Sequence, residues 1–325
     1  MSRPLAVAAI GGFHVGGRPF RLAGAPTRIA AFAPAGPARP FDPNGDFVVG
    51  QMYVQYVRLA APASPVPLLL WHGGGMTGVT WEDTPDGRPG WQQHFLEAGR
   101  DVYVADAVER GRASWFPYPG VMPGDPVLRP MQEMWETFRL GPPSGYAGRA
   151  PFPGQQFPVD RLEDLARQVV PRWPGNEAAT TAAYAALLDR LGRSDIVAHS
   201  QGCGFALAAA RGGPDRVAAC VVLEPSGAPD PAELDLRAAA RVPHLVVWGD
   251  FFAGSAAWRG YRAAFERYAA ALVAAGGTVE TIDLPARGIR GNSHMLTMDR
   301  NSDRIAALVA DWLARRPLAN PAAPL

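Results

Sequence analysis

The chain has 325 residues, of which 48% are hydrophobic and 19% are charged, and its formal net charge at pH 7 is +1. This length allows one large α/β domain with insertions or two small domains, with a sizeable core in either case. The near-neutral charge argues against nucleic acid or a membrane surface as an electrostatic partner. No apolar run approaches the roughly 20 residues of a membrane span.

The first residues read "MSRPLAVAAIGGF". This run contains one arginine, and it is too short and too interrupted by glycine to predict a signal peptide. We therefore expect a cytoplasmic protein as the sequence stands, and a periplasmic or secreted protein if a leader has been removed.

The N-terminal part, residues 4–60, predicts antiparallel β structure. The segment "FHVGGRPFRL" has Gly16-Gly17 between two alternating runs, a pattern typical of a hairpin. The segment from Phe47 to Ala60 alternates apolar and polar residues, as a half-buried strand does.

From residue 66 onward, strand and helix patterns alternate. The predicted strands are "VPLLLW", "DVYVAD", "DIVAHS", "RVAACVVLEP", "HLVVWGD" and "TVETIDLP". The predicted helices are "GWQQHFLEAG", "NEAATTAAYAALLDRLG", "FALAAA", "AAWRGYRAAFERYAAALVAAGG" and "SDRIAALVADWLARR". Such alternation predicts an α/β fold with a mostly parallel, doubly wound sheet and helices on both faces.

Residues 107–175 break this alternation, because they are rich in proline and dense in aromatic residues. A connection this long usually has a function or a structure of its own. We interpret it as a cap inserted over the carboxyl ends of the strands. Residues 1–106 and 176–325 would then form the α/β core as a single domain.

Ligands of open α/β sheets bind at the carboxyl ends of the strands. The predicted strand ends carry "HGGGMTG", Ser200, Glu224 and Asp250, and His294 follows the last strand. Serine, acid and histidine in this order are typical of α/β-hydrolases. The stretch "AHSQG" resembles their nucleophile elbow, G-x-S-x-G, with Ala198 in place of the first glycine. Alanine is small enough for the close approach of strand and helix at this point.

A closer resemblance involves "HGGGMTGVTWEDTPDGRPGW", "LEPSG" and "GNSHMLTMDRN". Together these segments resemble a small group of bacterial serine esterases with a Ser-Glu-His triad, over most of the chain and least in the cap. In that group the acid is a glutamate after the sixth strand, which implies Glu224 here. The general α/β-hydrolase pattern, an acid after the seventh strand, leaves Asp250 as the alternative. The extra methylene of glutamate helps it to reach His294 from the nearer strand.

These residues suit nucleophilic catalysis. The hydroxyl of Ser200 needs a base to take its proton, and His294 suits this role because the usual pKa of histidine is about 6.5. A carboxylate must orient the imidazole. The elbow places the backbone N–H of Gln201 at a helix N-terminus, where negative charge is favoured. A second N–H, from Gly74 with Gly75 as a helper, would complete an oxyanion hole.

Several other residues have alternative interpretations. Trp81, Trp115 and Trp135 are candidates for an apolar pocket wall, but the aromatic residues of the cap would equally suit its own core. His72 is expected to fix the oxyanion loop by hydrogen bonding, and His199 is expected to be structural.

Metal and disulfide chemistry find little support in the sequence. Cys203 and Cys220 match no zinc spacing, and we expect buried free thiols, with a disulfide between them left open. No paired ligand spacing is present among the histidines His72, His94, His199, His244 and His294. We expect no metal and no cofactor.

The sequence therefore predicts a serine carboxylesterase that acts on small to medium, uncharged esters, aryl esters among them, through an acyl-enzyme. A lactonase or a C–C bond hydrolase on the same triad is the alternative, followed by a catalytically silent binding protein. A dehalogenase is disfavoured because the elbow holds serine instead of aspartate. The expected partner is a small-molecule ester, and the oligomeric state is left open, a homodimer included.

Overall fold

The computed structural model describes residues 4–122 and 124–316. Its strands are β1 (Val7–Leu22), β2 (Arg28–Ala30), β3 (Arg39–Phe41), β4 (Gly45–Leu59), β5 (Leu68–Trp71), β6 (Val102–Asp106), β7 (Ser194–His199), β8 (Val217–Leu223), β9 (His244–Trp248) and β10 (Val279–Asp283). Its α-helices are α1 (Trp91–Glu97), α2 (Met131–Thr137), α3 (Leu162–Ala166), α4 (Glu177–Leu191), α5 (Gln201–Gly212), α6 (Ala256–Ala274) and α7 (Ser302–Arg315).

The main sheet has eight strands in the order β1-β4-β6-β5-β7-β8-β9-β10, and β2 pairs with β3 outside it. The pairings of β1 with β4 and of β4 with β6 are antiparallel, while the remaining pairings in the sheet are parallel. The predicted α/β fold with an N-terminal antiparallel region is thus confirmed. Counting only the strands of the main sheet, β8 is the sixth strand and β9 is the seventh.

Two apolar cores cover the faces of this sheet. Leu69 of β5 faces the core that contains Leu207 of α5 and Phe265 of α6. Its neighbour Leu70 faces the core that contains Ile305 of α7. Successive side chains of a strand point to opposite faces, so the continuous apolar runs predicted as central strands are buried on both sides.

The hairpin predicted at Gly16-Gly17 is wrong. Strand β1 continues through both glycines and pairs with β4 on either side of them, for example Arg18 with Val49. The φ angles of Gly16 and Gly17 are 72° and 86°, and a Cβ on Gly16 would lie 3.0 Å from the Cα of Ala183 in α4. The missing side chain of Gly16 therefore allows α4 to pack closely on β1, and the chain does not reverse its direction at these glycines.

The inserted segment lies between β6 and α4 and contains α2 and α3. Its buried side chains form a cluster of their own, which consists of Met134, Trp135, Phe138, Leu140, Phe157, Leu162 and Leu165. Met76, Met295 and Met298 from loops of the core join this cluster. The segment is thereby anchored to the loops beyond β5 and β10, and its boundaries at residues 107 and 175 stay a prediction.

The N-terminal apolar run is part of the sheet from Val7 onward, and residues 1–3 lie outside the described part. Among the helices that are described, each is too short or too polar to cross a lipid bilayer.

Candidate active site

Ser200 stands at the sharp turn between β7 and α5. Its φ and ψ angles are 53° and −116°, a backbone conformation that L-residues rarely adopt and that costs energy. Gly202 makes the turn feasible, because a Cβ there would lie 2.7 Å from the carbonyl oxygen of His72 and 2.8 Å from that of Trp71. Only glycine lets α5 begin so close to the end of β5.

The carboxylate of Glu224 lies next to the imidazole of His294. The Nδ1 atom of His294 is 3.3 Å from Oε2 of Glu224, and the exposed fractions of the two residues are 1% and 0%. Glu224 follows β8 directly, and its backbone N–H donates to the carbonyl of Val247 at 3.0 Å. Its Oε1 accepts the backbone N–H of Gly249. Both strands β8 and β9 therefore hold this carboxylate.

The second candidate acid, Asp250, has other partners. Its Oδ1 accepts the N–H of Phe251 at 2.8 Å, and its Oδ2 accepts the N–H of Gly291 at 3.0 Å. Both carboxylate oxygens are thus engaged with loop backbone. Of the two alternatives, Glu224 is the one in contact with His294.

A buried arginine that sequence reasoning missed completes this group. Arg139, just after α2, is 1% exposed, and its Nη2 donates to Oε2 of Glu224 at 2.7 Å. Its Nε donates to the carbonyl of Asp250 at 2.8 Å. The guanidinium carbon lies 4.3 Å from the ring centre of Phe252 and 4.8 Å from that of Trp258. Nothing local in the sequence distinguishes this arginine from a surface arginine, because its partners are distant in the chain.

Burial shifts the titration of both groups. It raises the pKa of Glu224, while Arg139 and the N–H of Gly249 oppose this shift. It lowers the pKa of His294 well below its ordinary value, and the charges of Arg139 and Arg129 lower it further. His294 is therefore a neutral imidazole at neutral pH, as a general base must be.

His199 connects His294 to the elbow. Its Nε2 lies 2.8 Å from the carbonyl oxygen of His294 and donates to it, and the two rings are 4.6 Å apart. Burial lowers the pKa of His199 to about 3, so the ring is neutral. Within the described conformation no hydrogen bond joins Ser200 Oγ to His294. We expect this bond to form with substrate, because catalytic hydrogen bonds often tighten only in the complex.

The glycine loop after β5 is fixed by His72. Its Nε2 accepts the backbone N–H of Ala107 at 3.1 Å, so Nδ1 carries the proton and donates to the carbonyl of Gly73 at 2.8 Å. Burial lowers the pKa of His72 to about 4, which preserves this neutral tautomer.

The loop brings Gly74 against the start of α5. A Cβ on Gly74 would lie 2.9 Å from the side-chain oxygen of Gln201. Gly75 has a φ of 72°, and its carbonyl accepts the N–H of Val170 from the cap segment at 2.9 Å. The two candidate oxyanion donors, Gly74 and Gln201, are therefore neighbours, while Gly75 is tied to the cap.

Comparisons with known proteins identify the family of this chain. Residues 66–257 match the sequence profile of the alpha/beta hydrolase fold family. The chain is a member of this α/β-hydrolase family. A solved structure described as a novel bacterial esterase is 32% identical, covers 97% of this chain and 98% of its own, and superposes with a TM-score of 0.83. A probable secreted lipase, phiG, from a fungal species (strain ATCC 74256) is 28% identical, over 82% of this chain and 86% of its own.

The similarity confirms the predicted class of enzyme. This hydrolase is of the esterase and lipase type, and hydrolysis of carboxylic esters is its class of reaction. The resemblance to bacterial esterases noted in the sequence is thereby confirmed as well.

Another buried acid, Asp299, supports the loop that carries His294 in this hydrolase. Asp299 accepts the backbone N–H of Ser293 at 2.8 Å, its hydroxyl at 2.7 Å and the amide of Asn292 at 2.9 Å. Burial raises the pKa of Asp299 to about 7 against these hydrogen bonds. Sequence reasoning missed Asp299, although an acid within the apolar stretch "HMLTMD" is a signal for a buried polar contact.

The three tryptophans predicted as a pocket wall lie in different surroundings. Trp81 and Trp135 have no exposed surface and belong to packed cores, so the expectation that they line a pocket is wrong. Trp115 is 53% exposed and stacks on Trp173 with 5.4 Å between ring centres. An aromatic residue suits a core and a pocket wall equally, so its sequence position does not separate the two.

The two cysteines of the hydrolase form no disulfide. Cys203 and Cys220 are free and buried, and burial raises the pKa of both thiols, to about 12 for Cys220. Across residues 4–122 and 124–316, no three His, Cys, Asp or Glu side chains are grouped as ligands for a metal ion.

Proposed function

We propose that this α/β-hydrolase is a serine carboxylesterase with Ser200 as nucleophile, His294 as general base and acid, and Glu224 as the acid that orients His294. The observation that carries the proposal is the contact of 3.3 Å between His294 Nδ1 and Glu224 Oε2. The strained backbone of Ser200 at the start of α5 supports it.

In the proposed reaction, Ser200 Oγ attacks the ester carbonyl while Nε2 of His294 takes its proton. The backbone N–H groups of Gln201 and Gly74 bind the developing oxyanion. His294 then donates the proton to the leaving alkoxide, which departs as the alcohol and leaves an acyl-enzyme. A water molecule, deprotonated by His294, attacks the acyl carbonyl, and the bond to Ser200 Oγ then breaks while His294 returns the proton to this oxygen, which releases the acid and regenerates the enzyme.

A cavity of about 360 Å³ is lined by Arg139 and Trp258, although neither Ser200 nor His294 lines it. Trp258 lines this cavity and also packs on His294, with 4.2 Å between ring centres. Phe152, Phe251 and Tyr261 also line it. These aromatic side chains favour an aryl group, but Arg129, Glu133 and Glu136 line the same cavity, so our proposal of an uncharged substrate that includes aryl esters rests on the sequence. Rates on aryl and alkyl esters of graded acyl length would define the preference.

Labelling with a fluorophosphonate probe tests the nucleophile. We expect the wild type to be labelled, and Ser200→Ala to lose labelling and to lower kcat/KM by at least about 10⁴-fold on the preferred ester. Ser226→Ala is a matched control, because its side chain is exposed in a neighbouring loop, and it should keep both properties. An unlabelled wild type would instead indicate a catalytically silent binding protein.

Export from the cytoplasm is a further part of the proposal. It is supported by the similar protein that is described as a probable secreted lipase. Detection of the native protein in the culture medium or periplasmic fraction would confirm it, whereas recovery from the cytoplasm alone would contradict it.

A further inference from the structure

The cap contributes a charge to the centre of the candidate site. We propose that Arg139 is a positioning residue that keeps Glu224 ionised and oriented, so that His294 faces a carboxylate–guanidinium pair and not a lone carboxylate. This inference rests on the proposed function, because it concerns the same three catalytic groups.

The contacts of Arg139 are those of a fixed fork. The guanidinium spans Oε2 of Glu224 at 2.7 Å and the carbonyl of Asp250 at 2.8 Å. The rings of Phe252 and Trp258 flank it. A planar guanidinium held by two acceptors and two rings has little freedom, and charge-assisted hydrogen bonds are the strong ones. The geometry therefore sets the position of the same carboxylate oxygen that faces His294.

The backbone around Arg139 is equally constrained. Its φ is 57°, and its carbonyl accepts the side-chain amide of Gln155 at 2.9 Å. A loop of the same inserted segment thus fixes the backbone of Arg139. The position of the charge therefore depends on the packing of the inserted segment against the core.

Several titratable or charged groups surround His294. They are Glu224 at the end of β8, His199 at the end of β7, Arg139 and Arg129 on either side of α2, and Asp299 in the loop of His294 itself. His199 is neutral, and Asp299 is engaged with its own loop. Arg129 has a partner in Glu133, at 2.9 Å. Glu224 is therefore the ionised group in contact with the imidazole, and Arg139 balances its charge, while Arg129 adds a positive charge that lowers the pKa of His294 further.

This balance has a consequence for the pH dependence. A lone carboxylate would stabilise the imidazolium and raise the pKa of His294. The neutral pair of Glu224 and Arg139 stabilises the imidazolium less, so His294 remains unprotonated down to a lower pH. Loss of the guanidinium moves the acid limb of the kcat/KM profile to higher pH by either of two routes. If Glu224 stays ionised, it stabilises the imidazolium more. If Glu224 takes a proton, His294 loses its acceptor below that pH.

The pH profile of kcat/KM for Arg139→Met and Arg139→Lys on a neutral ester tests the inference. We expect the apparent pKa of the acid limb to be about one unit higher in Arg139→Met than in the wild type. We expect Arg139→Lys to keep the limb of the wild type but to lower kcat, because one ammonium cannot bridge both acceptors as the fork does. Arg149→Met is the matched control, since Arg149 also belongs to the cap, has a φ of 51° and pairs with Glu163 at 2.6 Å. Its limb should not move.

An equal loss of kcat/KM at every pH in Arg139→Met, with an unmoved limb, would reduce Arg139 to a packing role. If that variant does not fold, NMR titration of the His294 imidazole in Ser200→Ala replaces it. Because burial alone lowers the pKa of His294, this titration is compared with that of Ser200→Ala/Arg139→Gln, in which we expect a higher pKa, and an unchanged pKa would overturn the inference. This readout needs no turnover, so failure of fluorophosphonate labelling in the wild type refutes the proposed function separately.

Discussion

The ends of β8 and β9 lie side by side and each is followed by an acidic residue, but the two carboxylates differ in their surroundings. Glu224 is fully buried and faces Arg139 and His294. Asp250 is partly exposed, and among the described residues its carboxylate accepts only backbone N–H groups of its own and a neighbouring loop. Both are acids at the same edge of one sheet, so it is the groups each faces that decide what chemistry it can serve.

Gly249 is the residue that makes this difference feasible. A Cβ there would lie 2.9 Å from the carbonyl oxygens of Asn292 and Ser293 and 3.0 Å from Oε1 of Glu224. The residue after β9 must therefore lack a side chain, so that Glu224 and the loop of His294 can come into contact. Asp250, one residue later, is already directed away from this point.

The largest expected effect comes from exchanging each acid for its amide. Glu224→Gln keeps the volume but removes the charge that stabilises the imidazolium, and we expect kcat/KM to fall by about 10⁴-fold. Asp250→Asn keeps an acceptor for the loop and should cost less than about tenfold, because it removes no group in contact with His294. Steady-state rates of both variants on one ester decide between them. A larger loss in Asp250→Asn would transfer the role of the acid to that residue.

An intermediate effect is expected from Gly249→Ala, because the added methyl group would crowd Glu224 and the backbone of the His294 loop. Overpacking against backbone atoms typically costs about 1–3 kcal/mol of unfolding free energy, and displacement of Glu224 from His294 should lower kcat about 100-fold. Gly260→Ala in α6 is the control, since nothing lies within 4 Å of its added Cβ, and it should be neutral or slightly stabilising. Urea unfolding and kcat measure the two effects, and a fully active Gly249→Ala would show that the site tolerates the shift.

The parts of this molecule that are predictable from sequence depend on contiguous residues. The strand pattern of "DIVAH", the small residues after Ser200 and the glycines after His72 each specify their local structure, and the sheet follows from their alternation. Arg139 is 85 positions from Glu224 in the chain, and the two meet only because the inserted segment packs on the core. At Gly16, the same glycine signal fits a hairpin or a close helix contact, and only the position of α4 decides.

Asp299 provides the smallest and most specific contrast with Glu224, because it is a buried acid that has only neutral hydrogen-bond donors. Its pKa in the folded state is raised to about 7, from an ordinary 3.8. The folded protein then binds the proton more tightly than the unfolded chain, so the stability from this group is fully present below pH 3.8 and is lost as the pH rises through 7.

Asp299→Asn, which cannot titrate, should remove this dependence. Between pH 5 and pH 8 we expect the wild type to lose on the order of 2 kcal/mol of unfolding free energy relative to the variant. Urea unfolding of both proteins at the two pH values measures it. A constant difference would mean that the hydrogen bonds from Ser293 and Asn292 keep Asp299 ionised throughout. Neutral hydrogen-bond donors alone would then be enough to keep a buried carboxylate ionised in this loop. Glu224 would not need Arg139 in order to be buried as an anion, and the main effect of the guanidinium would be on the pKa of His294.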